Sequence, residues 1–329
     1  MAESRLRPED LEFFEREIES FLPARVFDAH THLWASDFSP WKVDGAPEDV
    51  GFDVYRELMQ DLHPDRHQAG ALFIPAVQAD EAGEFGQAND WVARASERAP
   101  EYRHLFFVKP GDDPEWVREE ARRSGACGLK CYHTMATTQP TWEADIPAYL
   151  PEELVRVAHE ESLVITLHMV KQRALADPSN QHWIRTYCEK YPEMRMILAH
   201  SARGFQPSHN MEGIETIADL DNVYYDTSVN CEPIAHQTII RYCGHDRLMY
   251  GTDCPVSHMR GRSLSAADSF LWLYEDTPVW DEKHLKNNPV LVGLEHLRSI
   301  KWACWSEKLT DTQVEDIFWN NAARLFGVD

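Results

Sequence analysis

Residues 25–32 read RVFDAHTH, a short apolar run that ends in two histidines, His30 and His32. In an extended chain, side chains two apart point to one side, so these imidazoles are aimed at a common point. Seven further apolar runs follow, at 71–77, 103–108, 125–130, 163–168, 194–200, 222–227 and 247–252. Helical patterns separate most of them, around 84–98, 113–123, 151–161, 177–190 and 232–243. Pro114, Pro151 and Pro178 are expected in first helical turns, where proline's missing N–H costs nothing. Strand–helix alternation repeated about eight times is the pattern of parallel βα units. The fold class read from it is α/β, a TIM-type (β/α)8 barrel in regular or distorted form. A doubly wound open sheet is the alternative, but the Gly-rich phosphate loop it calls for is missing from the sequence.

The 329 residues allow two ordinary domains or one large barrel. The pattern favours one domain: an N-terminal helix in 1–24, the barrel core in 25–256, and an insertion with C-terminal helices in 257–329. In that first helix Leu11, Phe14, Ile18 and Phe21/Leu22 mark the face expected to dock on the barrel. Two stretches break the βα repeat, the loop at 33–50 and the segment at 257–308, and long loops in compact domains often bind ligands.

A formal charge of −23 argues against partners that present phosphates, whether nucleic acid or an anionic membrane surface. The polar N-terminus shows no signal-peptide core, and no apolar run reaches about 18 residues. Seven scattered cysteines without a CxxC pair fit a reducing cytoplasm better than a disulfide framework. Cys127 and Cys131 are read as two thiols near a strand end. No GxSxG elbow and no HExxH helix is present.

The chemistry gathers at the ends of the runs. Lys130 ends the fourth, His168 the fifth, His200 the sixth, and Asp253 follows the eighth. The C-terminal strand ends of a βα barrel converge on one face, where catalytic groups collect. Imidazole and carboxylate ligands suit zinc and other first-row divalent metals.

HxH after the first strand, His after the fifth and sixth, and Asp after the eighth resemble the pattern of the amidohydrolase superfamily. The segments GLK (128–130), LAHS (198–201), YGTD (250–253) and NNAARLF (320–326) are similar to its amidohydrolase-2 branch of hydrolases and decarboxylases, aminocarboxymuconate-semialdehyde decarboxylase among them. The resemblance runs from about residue 25 to 327. It implies His30, His32, His168 and Asp253 as ligands of one divalent metal, zinc first and manganese as the alternative, with His200 as base or acid beside them. A metal with an open position brings the pKa of water to ~7 and polarises a carbonyl. Asp253 is then placed to take a proton, and His200 to exchange one near neutral pH.

Lys130 has three readings: a cation for a substrate carboxylate, a carboxylated bridge to a second metal, or a structural ion pair. Arg203 has two readings: a guanidinium that holds a substrate carboxylate or phosphate, or a helix-start arginine paired with an acid. Trp34, Trp41, Tyr132, His133 and Trp142 are candidate walls of a pocket for a planar substrate. His63, His104, His209, His236 and His258 are expected at surface or capping positions. The function expected is metal-dependent hydrolysis of an amide, ester or lactone in a small molecule. Non-oxidative decarboxylation of an aromatic or unsaturated acid and an inactive metal-binding barrel are the alternatives. The small-molecule substrate is compatible with a carboxylic acid, and a homodimer is compatible with the sequence.

Overall fold

A computed structural model describes residues 5–38, 47–64, 67–76, 85–277 and 288–328. Eight strands lie side by side in sequence order: β1 (Arg25–Leu33), β2 (His67–Pro75), β3 (Tyr102–Phe107), β4 (Gly128–Cys131), β5 (Val164–Leu167), β6 (Arg195–Leu198), β7 (Val223–Asp226) and β8 (Leu248–Met249). All seven neighbouring pairs are parallel. The ring closes through the segment after β8. Ala29 N donates to Tyr250 O (2.8 Å), His32 N to Cys254 O (3.0 Å) and Asp253 N to His30 O (2.7 Å). This is a (β/α)8 barrel.

Side chains from most strands fill the lumen: Phe27 and Ala29 of β1, Leu72 of β2, Leu105 of β3, Val164 of β5, Ile197 of β6 and Met249 of β8. Trp319, Ala322 and Phe326, from the closing helices of the chain, belong to the same cluster. β1 would continue this alternation, but Asp28 pairs with Ala71 and Thr31 with Phe73. Three steps on β1 thus oppose two on β2, a bulge that inserts one residue and switches which side chains face inward. It lets His30 and His32 follow Phe27 and Ala29 despite their opposite parity.

The helices begin where capping chemistry lies. Asp113 accepts from Glu115 N (3.0 Å) ahead of Pro114, and Asp177 accepts from Ser179 N (2.9 Å) ahead of Pro178. Pro151 sits one residue earlier than expected, as the cap of helix Glu152–Glu160. The N-terminal segment buries Phe13, Phe14, Ile18 and Leu22. Leu11, expected inside, is exposed, because the helix changes to a wider π turn at Phe14–Ile18 and rotates the face. Helix Pro8–Phe13 is tied down by Asp10, which accepts two hydrogen bonds from Arg260 (3.0 and 2.7 Å).

The segment after β8 holds an antiparallel hairpin absent from the sequence reading, β9 (Gly261–Ala266) and β10 (Ser269–Tyr274). The expected helical block follows it as Val292–Ser306. Among the described residues no helix is long and apolar enough to cross a membrane. All seven cysteines are free thiols.

Candidate metal centre

The bulge in β1 and the closing segment after β8 bring three expected ligands together. His30 Nε2 lies 3.5 Å and His32 Nε2 3.3 Å from Asp253 Oδ1. One ligand atom from each of the three residues lies within 4.8 Å of the others. Four ligands at ~2.0–2.2 Å from a tetrahedral zinc stand roughly 3.3–3.5 Å apart. The two nitrogens and the carboxylate therefore fit a divalent ion. Burial works to raise the Asp253 pKa, but the neighbouring imidazoles, His32 first and then His200 and His30, outweigh it. The carboxyl sits well below its usual range and is ionised, the form a ligand requires.

The second nitrogen of His30 is fixed by a residue the sequence reading passed over. Asp226, the last residue of β7 and fully buried, lies with Oδ2 2.9 Å from His30 Nδ1. Its other oxygen accepts from His200 N (3.0 Å), from Ser228 N (3.1 Å) and from the Ser228 hydroxyl.

His168 stands outside the three-residue cluster. Its Nδ1 is 3.2 Å from His200 Nε2. His200 Nδ1 faces the Ser228 carbonyl (3.0 Å) and the Ser228 hydroxyl oxygen (2.9 Å). A carbonyl only accepts, so His200 carries its proton on Nδ1 and accepts at Nε2. His168 then donates from Nδ1, which leaves its Nε2 unprotonated as metal ligation demands. Burial pushes the pKa of both rings down, that of His168 well below its usual value.

Two cations flank these groups. Lys130 is buried, its Nζ 6.0 Å from the Tyr132 ring, and burial lowers its pKa. Among the described residues no carboxylate comes within ion-pair distance of it, which removes the structural ion pair from its three readings. Arg203 is half-buried and donates to Lys171 O (2.6 Å); its guanidinium lies 5.8 Å from the Trp142 ring and 5.6 Å from Phe270. Tyr132 and His133 are expected wall residues that do lie at the site, with ring centroids 5.0 and 6.0 Å from His168. Burial and the Asp253 charge push the phenols of Tyr132 and Tyr274 up to about 12, so both remain neutral.

Trp34 is a correction. It is 1 % exposed and packs among Leu33, Tyr55, Leu58 and Phe73, so its ring is closed to substrate. Trp41 lies outside the described residues. His258 hydrogen-bonds Leu58 O (2.9 Å) away from the cluster. His63, His104, His209 and His236, expected at surface or capping positions, are buried; each finds a hydrogen-bond partner inside the fold.

The hairpin supplies a wall unseen in the sequence reading. Phe270, Trp272 and Tyr274 share one face of β10, and Phe205 stacks on Phe270 (4.7 Å) and lies 5.5 Å from His200. The alternation FxWxY was the available signal. For Asp226 it was the one that marked Asp253: a carboxylate closing an apolar run.

The amidohydrolase family profile of the amidohydrolase-2 type matches residues 27–328. No curated protein sequence matches the chain. Among solved structures, an amidohydrolase from Burkholderia multivorans with bound zinc is similar at 14 % identity, covering 93 % of this chain and 100 % of that one, with a TM-score of 0.60. A protein from Pseudomonas putida described as a putative 2-pyrone-4,6-dicarboxylic acid hydrolase matches at 14 % identity over 94 % and 99 %, TM-score 0.57. A 5-carboxyvanillate decarboxylase from Sphingomonas paucimobilis matches at 13 % identity over 93 % and 100 %, TM-score 0.51.

Proposed function

The chain belongs to the amidohydrolase family, and from that premise we propose that it is a metal-dependent hydrolase of an ester, lactone or amide bond in a small, planar carboxylic acid. The observation that carries this reading is the meeting of His30 Nε2, His32 Nε2 and ionised Asp253 at one point. His168, through its unprotonated Nε2, completes the ligand set. A divalent ion held there, zinc first and manganese as alternative, would supply a water of lowered pKa and polarise a carbonyl.

The chain's own residues do the rest. Asp253 accepts the proton of the attacking water. His200, neutral with its proton on Nδ1, takes that proton over from Asp253 at Nε2 and delivers it to the leaving group, so one proton leaves the water and the same one reaches the product. Lys130 and Arg203 bind the substrate carboxylate, since a cation buried without a counter-charge is costly until an anion joins it. Tyr132, Trp142, Phe270 and Trp272 hold a flat substrate between aromatic faces.

Decarboxylation is the second reading, favoured by that aromatic lining beside two cations. The names of two similar structures, a dicarboxylic acid hydrolase and a carboxyvanillate decarboxylase, support carboxylate substrates under either reading. Seven free cysteines support a reducing cytoplasm as the setting.

The test joins metal analysis to a screen of lactones, amides and aromatic carboxylic acids, scored for acid release and for CO₂. One metal per chain with hydrolysis supports the proposal. CO₂ release without hydrolysis transfers the assignment to the second reading, and two metals per chain overturn the single-ion site in favour of a carboxylated Lys130.

A further inference from the structure

A buried carboxylate touches both halves of the candidate site. Asp226 has His30 Nδ1 2.9 Å from Oδ2, and Oδ1 accepts the Ser228 hydroxyl. That hydroxyl has spent its only proton on Asp226, so toward His200 Nδ1, 2.9 Å away, its oxygen can only accept. The links therefore run in one direction from each ring to a single charge: His30 Nδ1–H to Asp226, and His200 Nδ1–H to Ser228 Oγ–H to Asp226.

We propose that Asp226 and Ser228 form one positioning pair that fixes the tautomers of His30 and His200 together, each with Nε2 unprotonated, that of His30 beside Asp253 and that of His200 beside His168. The inference rests on the reading of His30 as a metal ligand and of His200 as the proton carrier. The fold supplies the reason for one pair serving two rings. β7 lies beside β6, so the residue closing β7 faces the turn that carries His200, and the lumen brings it against the bulge of β1.

The arrangement separates the two residues' effects. Asp226 is bonded to the metal-binding ring directly. Ser228 touches only the proton-carrying ring, whose Nδ1 keeps the Ser228 carbonyl as acceptor when the hydroxyl is removed. Loss of a carboxylate behind a ligating histidine typically lowers metal affinity about 10–100-fold.

The experiment uses the full chain with zinc added, and reads two quantities that need no substrate. Zinc affinity is measured by competition with a chromophoric chelator. Imidazole ¹⁵N shifts are measured on histidine-labelled protein, with His30 and His200 assigned through His30→Gln and His200→Gln. In the parent chain both rings are expected to show a protonated Nδ1. Asp226→Asn is expected to bind zinc at least about tenfold more weakly and to lose the fixed Nδ1–H form of His30. Ser228→Ala is expected to hold zinc within about twofold of the parent while the His200 nitrogens alone shift.

Should Asp226→Asn fail to fold, Ser228→Ala and the parent spectrum decide. A protonated Nε2 on either ring in the parent overturns the proposal, as does a folded Asp226→Asn with unchanged affinity and shifts, or a Ser228→Ala whose His200 nitrogens do not move. A parent chain that binds no zinc defeats the metal reading, and the tautomers are then judged from its spectrum alone.

Discussion

His200 holds its place through an unusual backbone. It is the first of four consecutive residues, His200, Ser201, Ala202 and Arg203, with φ between +52 and +57°. Non-glycine residues pay about 1–3 kcal/mol each in sparsely populated regions of this kind and persist only when neighbours over-determine them. The neighbours here are polar and buried: Asp226 accepts His200 N, Asn230 Nδ2 donates to His200 O (3.0 Å), and Asn210 Nδ2 donates to Ser201 O (2.8 Å). Asn230→Ala removes one of two donors from the buried His200 carbonyl, which keeps Gly204 N (3.0 Å). Loss of that hydrogen bond is expected to cost about 0.5–1.5 kcal/mol in urea unfolding while zinc affinity stays within about twofold; an unchanged midpoint would show that the turn holds without it. The residues named from sequence were legible because each closes an apolar run. Asp226 carries the same mark, but in YYDTS it reads as a polar strand end until its partners are seen. Trp34 misled because sequence gives an aromatic ring in a loop no direction, and burial under β1 and β2 settles it.

At the level of elements, the eight strands were legible because a strand buried on both faces is a near-continuous apolar run. The β9–β10 hairpin was not. β9 reads GRSLSA, with little apolar alternation, and the turn between the strands is Ala267-Asp268, without the glycine that marks tight hairpins. Yet this hairpin carries Phe270, Trp272 and Tyr274 toward the metal centre. Its entry depends on Gly261, at φ +139° and so near the facing strand that a Cβ would lie 2.1 Å from Leu273 O. Gly261→Ala combines a conformation closed to alanine with a backbone clash. The variant is expected to undock β10, raise the solvent exposure of Trp272 in fluorescence quenching, and lower kcat/KM at least about tenfold on whatever substrate the screen identifies, an order-of-magnitude loss of the kind that misplaced substrate contacts produce. Metal content is expected to remain at one per chain, because no ligand lies on the hairpin. Full activity with a quenched Trp272 would remove the hairpin from the substrate site.

The whole molecule is set by two opposed features, a charge of −23 and a set of neutral histidines sealed inside the fold. Burial pushes the His63 pKa down to about 3 and those of His104 and His236 down to about 4. His236 is held neutral there between Ser201 and the Asn230 carbonyl. In the unfolded chain each of these rings titrates near ~6.5, so between about pH 6.5 and 4 the unfolded state binds three protons at these rings that the folded state refuses. Stability therefore falls as the pH falls through this window. His168 and His296, which burial pushes down further still, act in the same direction. Asp28 works the other way, because burial pushes its carboxyl up to about 7 despite its donors Thr252, His30 and Tyr55. Folded Asp28 takes up its proton before the unfolded chain does, which offsets one histidine. Of the first three rings two protons net remain, and at ~1.36 kcal/mol per proton per pH unit they alone give a slope near pH 5 of roughly 3 kcal/mol per unit. Ordinary surface carboxylates stay ionised down to this pH, so the self-repulsion of the charge changes little and does not hide the slope. Urea unfolding at pH 7, 6 and 5, with a chelator present to remove metal linkage, is expected to show this decline. His63→Phe, which deletes one of these rings, is expected to flatten it by about one proton's worth. A profile that is level from pH 7 to 5 in the parent chain would mean that these histidines are charged inside the fold, although among the described residues no carboxylate pairs with His63, His104 or His236.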